Sequence, residues 1–375
     1  MSRKMIRTNT AARPQLRLAL AAFLLLASCL FALSAHAEPY LAVQTGFKCQ
    51  QCHVNPTGGG MRNAFGDVFA QTQLPAQHLD TGTDTWAGNI TRFLSIGGDL
   101  RFDGSYTQVP HTASTNEFDL EQARLYVNAA VIPDRLAVYV DELLAPGGAL
   151  NREAYVLYWS ANHSWYVKAG QLYLPYGLRL EDQTAFIRTV PGINMTTPDK
   201  GVEFGWEQGP WDAQFAVSNG TAGGPENDHG KQFSGQLYHV QSIWRLGVAA
   251  NYNDAAVGAK SSYGLFGGLR TGPIAWLGEV DLVDDRSIAT GGKMTTGLIE
   301  ANWMPARGHN LKLTAEYLDP NRDVSNDAQT RYSFVYEYTP FQFLQLRGGI
   351  RYGDGIPQIP TERTKSYFVQ LHGYF

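Results

Sequence analysis

The chain has 375 residues, a formal net charge of −4 and a pI near 6.1. That balance lacks the basic face a nucleic-acid partner requires, so no nucleic acid is expected among its partners. Aromatics at 12%, 39 glycines and only 17% charged residues suit a β-rich protein with many turns and many half-exposed rings.

Arg3, Lys4, Arg7, Arg13 and Arg17 precede an apolar run from Leu18 to Leu33. Ala35-His36-Ala37 then offers small residues to signal peptidase, so residues 1–37 read as a signal peptide cleaved before Glu38. "LASC" at 26–29 also matches a lipoprotein box acylated at Cys29. The apolar run continues past Cys29, however, which makes it one small apolar residue of a discarded signal. No later apolar run reaches the length of a membrane-spanning helix, which leaves a transmembrane barrel open.

The exported chain keeps two cysteines, in an oxidising setting. Cys49-Gln50-Gln51-Cys52-His53 has the C-x-x-C-H spacing of c-type haem attachment. Two thiols must reach the two vinyl groups of one porphyrin while the next residue brings an imidazole to iron from the same side. Cys49 and Cys52 are thus expected to carry one covalent haem c, with His53 as proximal ligand. A Cys49–Cys52 disulfide would leave His53 without a role. Zinc needs four ligands, and there is no second Cys pair. A thioredoxin-like motif would sit in a βαβ pattern that is absent. The sixth iron position is open between Met61, just beyond the flexible Gly58-Gly59-Gly60, His78, and a vacant or water-filled site. Residues 38–91 are too few for an ordinary self-standing core and are expected to lean on something larger, as a plug in or at a barrel.

From Arg92 to the C-terminus the pattern is alternation, bounded by Gly, Pro, Asn and Asp. Sixteen strands are expected, centred near residues 98, 125, 139, 156, 168, 205, 215, 238, 250, 267, 279, 299, 314, 335, 347 and 370. Short connections such as 132–134, 161–163, 208–210, 271–273 and 339–341 alternate with longer polar ones at 106–116, 144–151, 173–200, 220–231, 284–293, 319–329 and 353–363. That asymmetry, with an even strand count, predicts an all-β, 16-stranded antiparallel outer-membrane barrel over 92–375 with both termini periplasmic. Ala123, Leu125, Val127 and Ala129 share one face opposite Gln122, Arg124, Tyr126 and Asn128; in a barrel the apolar face meets outer-membrane lipid and the polar face a wet lumen. Tyr332, Phe334, Tyr336 and Tyr338 likewise oppose Arg331, Ser333 and Glu337. Tyr367, Val369, Leu371 and the terminal Phe375 share a face, similar to the assembly signal of bacterial outer-membrane barrels. The connection 173–200 is expected to fold inward, because Leu174, Leu178, Leu180, Phe186, Ile187 and Ile193 need a surface to pack on, with Arg179, Arg188 and Lys200 facing the aqueous path.

"YVKAGQLYLPYGLRLED" (166–182) and "FAVSNGT" (215–221) resemble the phosphate-selective porin family. That resemblance implies a trimeric pore class, with homotrimer or monomer left open here, and anion-handling lumen cations among Arg124, Lys168, Lys312, Arg347 and Arg351. Asp141, Glu153, Glu279, Asp281, Glu300, Glu316 and Glu337 fall on lumen faces as well. The whole arrangement, through "FKCQQCHVNPTGGGMRNAFGDVF" (47–69), resembles the fused monohaem cytochrome c–porin family, which includes outer-membrane iron oxidases. It implies an electron conduit between periplasmic cytochromes or other carriers and an extracellular redox partner, with iron(II) one candidate. The competing expectation is a passive anion or general porin whose CxxCH extension is not redox-active.

Overall fold

The computed structural model describes residues 38–354 and 363–375, apart from 81, 83, 84, 227, 290 and 291. The expected signal peptide, Cys29 included, and residues 355–362 of the expected loop 353–363 lie outside the described residues.

Sixteen antiparallel strands close into one barrel, each paired to its chain neighbours and β1 paired to β16. They are β1 Leu94–Gln108, β2 Thr115–Ile132, β3 Leu136–Ala145, β4 Leu150–Trp159, β5 Trp165–Leu172, β6 Asp199–Gln208, β7 Trp211–Ser218 and β8 Gln232–Val240. The second half is β9 Trp244–Asn253, β10 Lys260–Thr271, β11 Ile274–Asp285, β12 Lys293–Trp303, β13 His309–Asp319, β14 Gln329–Tyr338, β15 Leu344–Asp354 and β16 Thr364–Tyr374. Every expected strand centre falls inside its strand. The loop asymmetry is weaker than expected near β1–β4. There the strands run on, leaving only 109–114 and 146–149 as connections, and 254–259 is a further loop on that end.

Closure satisfies the backbone of every strand within the sheet, the condition for crossing hydrocarbon without helices. The side chains then sort by pleat. Leu246, Val248, Leu265, Val280, Leu282, Ile299 and Leu313 point out and are exposed; Asn251, Ser262, Glu279, Asp281, Glu300 and Lys312 point in and are buried. Trp165, Trp211 and Trp244 open β5, β7 and β9 and Trp303 closes β12, all exposed on the short-turn rim as one aromatic girdle. Phe375 completes the seam: its backbone exchanges hydrogen bonds with Gly98 of β1 at 3.3 and 3.4 Å.

Two segments fill the lumen. The first is 38–91, with α1 Pro39–Thr45, a 3₁₀ turn Cys49–Gln51 and α2 Ala64–Thr72. Pro39 at the first helical turn and left-handed Gly46 just past its end (φ 74°) bound α1. Its Tyr40 hydroxyl donates to Glu337 (3.1 Å), and Arg245 of β9 and Arg270 of β10 donate to the carbonyls of Ala42 (2.5 Å) and Gln44 (2.8 Å). Asn55 reaches deeper, donating to both Glu153 carboxylate oxygens at 3.0 Å and accepting from Lys168 at 3.1 Å.

The second is the inward loop 173–198, which carries α3 Phe186–Thr189. It crosses the lumen: Tyr176 donates to Asp281 (2.9 Å), the Leu178 amide to Glu279 (2.5 Å) and the Phe186 amide to Glu316 (2.8 Å). Glu181 pairs with Arg101 and with Arg347 (2.6 Å), and Asp182 pairs with Arg351. Leu174, Leu178, Leu180, Ile187 and Ile193 are buried, as their packing need predicts. Two of the three cations depart from expectation. Arg188 is 1% exposed and ties the Tyr176 and Leu178 carbonyls together, both at 3.0 Å. Lys200 lies on β6 beside buried Asp199 and bonds the Gly223 carbonyl at 2.8 Å, away from the lumen.

Candidate haem-attachment site

The site begins with the turn at Cys49. The amides of Cys52 and His53 both donate to the Cys49 carbonyl, at 3.1 and 3.0 Å, which wraps the two thiols and the imidazole around one tight bend. Lys48 anchors its start on the barrel rim, reaching Glu207 (3.3 Å) and the Trp211 carbonyl (2.8 Å). Asn63 closes the other side. Its amide donates to the Cys52 carbonyl (3.0 Å), its side-chain nitrogen to the Gln50 carbonyl (2.9 Å), and its side-chain oxygen caps α2 by accepting from the Gly66 amide (3.0 Å). Gly66 lets α2 lie directly on the bend, since a Cβ there would stand 2.1 Å from the Cys52 carbonyl oxygen.

The three glycines 58–60 are not a slack hinge. All are left-handed, with φ 84°, 79° and 62°, a run that side chains resist. A Cβ on Gly58 would touch Cys49 Sγ at 3.2 Å, and one on Gly60 would strike the Tyr139 hydroxyl at 2.4 Å. That hydroxyl accepts from the Met61 amide at 2.9 Å.

Cys49, Cys52 and His53 open onto a cavity whose empty space, its open mouth included, is about 970 Å³. Its walls are mostly apolar: Leu41, Phe47, Phe69 and Leu74 from the plug, Leu178 from the loop, and Phe266 from β10. His53 is 5% exposed and its Nδ1 has no hydrogen-bond partner. Burial first, then the Arg62 guanidinium, pushes its pKa down to about 4, against the pull of the Met61 and Gly60 backbone. The imidazole is therefore neutral, the form that binds metal. Burial pushes the Cys52 thiol up to about 11 and raises Cys49 also. Both cysteines are free thiols, with no disulfide between them.

These residues fit a haem c. The donor set is two thiols and a neutral, under-bonded imidazole on one bend, facing a mostly apolar cleft. The proposed sixth ligands lie elsewhere. Met61 is buried, but its side chain runs toward Gly88 and Gly97 of the barrel wall. His78 is exposed and its Nδ1 meets the Gln71 carbonyl at 3.3 Å. Neither lines the cavity. Sequence reasoning missed α1, although its Pro39 and Gly46 were a readable signal, and missed Tyr238 and Arg245 on the cavity wall; Arg179, expected to face the aqueous path, lines it too. Only their inward alternation marks Tyr238 and Arg245.

The five expected lumen cations do point inward, and each has an acidic partner. Arg124 pairs with Asp141, Lys168 with Glu203 (3.1 Å), Lys312 with Glu38 (3.3 Å), Arg347 with Glu337 (3.3 Å) and Arg351 with Asp182. Arg124, Lys168 and Arg347 pair with carboxylates on the adjacent strand, Lys312 with the plug and Arg351 with the inward loop, rather than forming a ladder of unpaired cations.

No protein-family model and no curated protein matches the chain. Solved structures do. The anion-selective porin from Comamonas acidovorans is similar at TM-score 0.58 and 11% identity, over 75% of this chain and 99% of that one. OmpT of Vibrio cholerae, in its trimer form, is similar at TM-score 0.58 and 13% identity, over 76% and 100% of the two chains. The outer-membrane channel DcaP of Acinetobacter baumannii is similar at TM-score 0.57 and 12% identity, over 80% and 100%. The barrel has the porin fold. With its apolar outer face and aromatic girdle, it is an outer-membrane barrel.

Proposed function

We propose that this protein carries electrons across the outer membrane. One haem c, held by Cys49 and Cys52 with His53 as proximal ligand, would serve periplasmic cytochromes or other carriers on one side and an extracellular redox partner on the other. Iron(II) is the partner that the resemblance to cytochrome–porin fusions suggests. The observation that carries the reading is the apolar cavity onto which the CxxCH bend opens, inside a lumen crossed by plug and loop. When bound, the haem supplies a one-electron iron couple. The chain does the rest. Cys49 and Cys52 fix position, His53 offers a neutral nitrogen, and Leu41, Phe69, Leu178 and Phe266 exclude water and so tune the potential. The Arg179 guanidinium joins loop to plug through Thr57 Oγ1 (2.7 Å) and the Gly58 carbonyl (2.6 Å), closing the space between them.

A second reading is a passive porin with an inert extension. Its support is the likeness to porins and channels, one of them described as anion-selective. The OmpT trimer lends the same support to a homotrimer. One experiment separates the readings: proteoliposomes enclosing a membrane-impermeant redox dye, with an impermeant reductant outside. The electron-carrier reading expects the dye to be reduced by the wild-type protein and not by Cys52→Ser. Free passage of small solutes with no dye reduction would leave only the porin reading.

A further inference from the structure

Two guanidinium groups on the cavity wall lack an acidic partner. Arg179 on the inward loop bonds only oxygens of neutral groups: the Thr57 carbonyl (3.2 Å), Thr57 Oγ1 (2.7 Å), and the carbonyls of Gly58 (2.6 Å) and Leu174 (3.0 Å). Arg245 on β9 is 9% exposed, and its Nη2 bonds the carbonyls of Ala42 (2.5 Å) and Phe47 (2.6 Å). Both line the cavity that Cys49, Cys52 and His53 open onto. Among the described residues, no carboxylate lies within ion-pair distance of either. Asp212, on β7 one strand removed from β9, is occupied by Tyr238 (2.8 Å) and Gln214.

This departs from Arg124, Lys168, Lys312, Arg347 and Arg351, which each have a carboxylate; buried Arg188 also bonds only carbonyls, but it lies off this cavity's wall. A buried charge without a counter-charge costs several kcal/mol, so retaining buried Arg245 and half-buried Arg179 on one apolar wall points to a counter-charge that arrives with a ligand. Carbonyl bonding alone is the competing explanation: Arg245 would simply cap the end of α1, and Arg179 would simply clamp the plug. That role needs hydrogen-bond donors but no charge inside the cavity.

We propose that Arg179 and Arg245 are the anion-binding residues of this cavity and hold the two propionate carboxylates of its haem. The inference rests on the haem reading above. Arg179 comes from the loop and Arg245 from the barrel wall beside the plug, so each carboxylate would be held by a different element. The loop would thereby be ordered onto the plug by the cofactor as well as by Thr57 and Gly58. Neither residue forms the thioethers, so covalent attachment should not depend on them. Both act as positioning residues, and their signature is electrostatic.

The test uses full-length protein expressed with and without cytochrome c maturation, as wild type, Arg179→Leu, Arg245→Leu and the two Lys variants. Whether wild type holds haem after denaturation decides the underlying reading. In haem-loaded protein, each Leu variant should keep covalent haem but show a lower midpoint potential, because losing a nearby positive charge favours the oxidised iron. The Lys variants should recover most of the shift. In haem-free protein, the same Leu substitutions should lower the heat-unfolding temperature only slightly, since removing an uncompensated charge offsets the lost carbonyl contacts. In loaded protein they should lower it clearly more. Unchanged potentials in both Leu variants, or equal destabilisation of haem-free and loaded forms, would overturn the assignment and leave only the capping and clamping roles. Colourless wild type would overturn it together with the haem reading.

Discussion

Gly66 is the residue at which one added carbon says most about the haem bend. A Cβ would stand 2.1 Å from the Cys52 carbonyl oxygen and 3.1 Å from Arg62 Cβ, so α2 must move off the bend that it braces. Gly66→Ala should cut haem attachment severely while the barrel keeps its folded, heat-modifiable migration on gels; equal haem content would show that the bend needs no bracing. Gly60→Ala tests the lumen side. It forces a side chain into φ 62°, at about 1–2 kcal/mol, and into the Tyr139 hydroxyl. Protease sensitivity of residues 38–91 should rise, and an unchanged digestion pattern would contradict the tight fit. The sequence made it plain that glycine matters here. It could not say why, because "GGG" reads alike for a slack hinge and for three left-handed residues pressed against Cys49 and Tyr139. For Met61 and His78 the limit was different. Sequence distance made both candidates, and only side-chain direction removes them from the cavity wall.

At the scale of elements, strands were the legible part. Period-two alternation is clean in β7, β9, β11 and β14 because one face meets lipid and the other a charged lumen, so "RYSFVYEY" declares its own orientation. The inward course of 173–198 was legible for the same reason: its leucines and isoleucines had to pack somewhere. The destination of Arg188 was not, since a loop cation suits water and a knot of carbonyls equally well. Deleting 181–197 removes the Glu181 and Asp182 contacts to Arg101, Arg347 and Arg351 together with α3. Single-channel conductance, small in the intact protein, should rise clearly on deletion; a large conductance that the deletion leaves alone would show that the loop does not block the lumen. Removing Phe375 deletes the backbone pairing with Gly98 and the ring that packs on it. Membrane insertion should fall far more than haem attachment, and normal insertion would show that the seam closes without it.

For the whole molecule, the two lumen segments explain each other. The plug is too short for a core of its own, and the barrel lends it Tyr139, Glu153, Lys168, Arg245 and Glu337 as walls. In turn the plug and loop meet at Arg179 and narrow the pore, so a single redox centre could sit within a membrane whose hydrocarbon core is about 30 Å thick. The barrel's hydrogen bonds close among its own strands, which predicts that Cys52→Ser abolishes stable haem attachment yet leaves the barrel inserted. The central claim is that Cys49 and Cys52 carry haem rather than thiols or a disulfide. The intact mass of the denatured chain, purified from cells with cytochrome c maturation, tests it most directly. The account predicts the mass of the polypeptide plus one haem, in one species. A bare polypeptide mass, or one lighter by the two hydrogens of a disulfide, would contradict it.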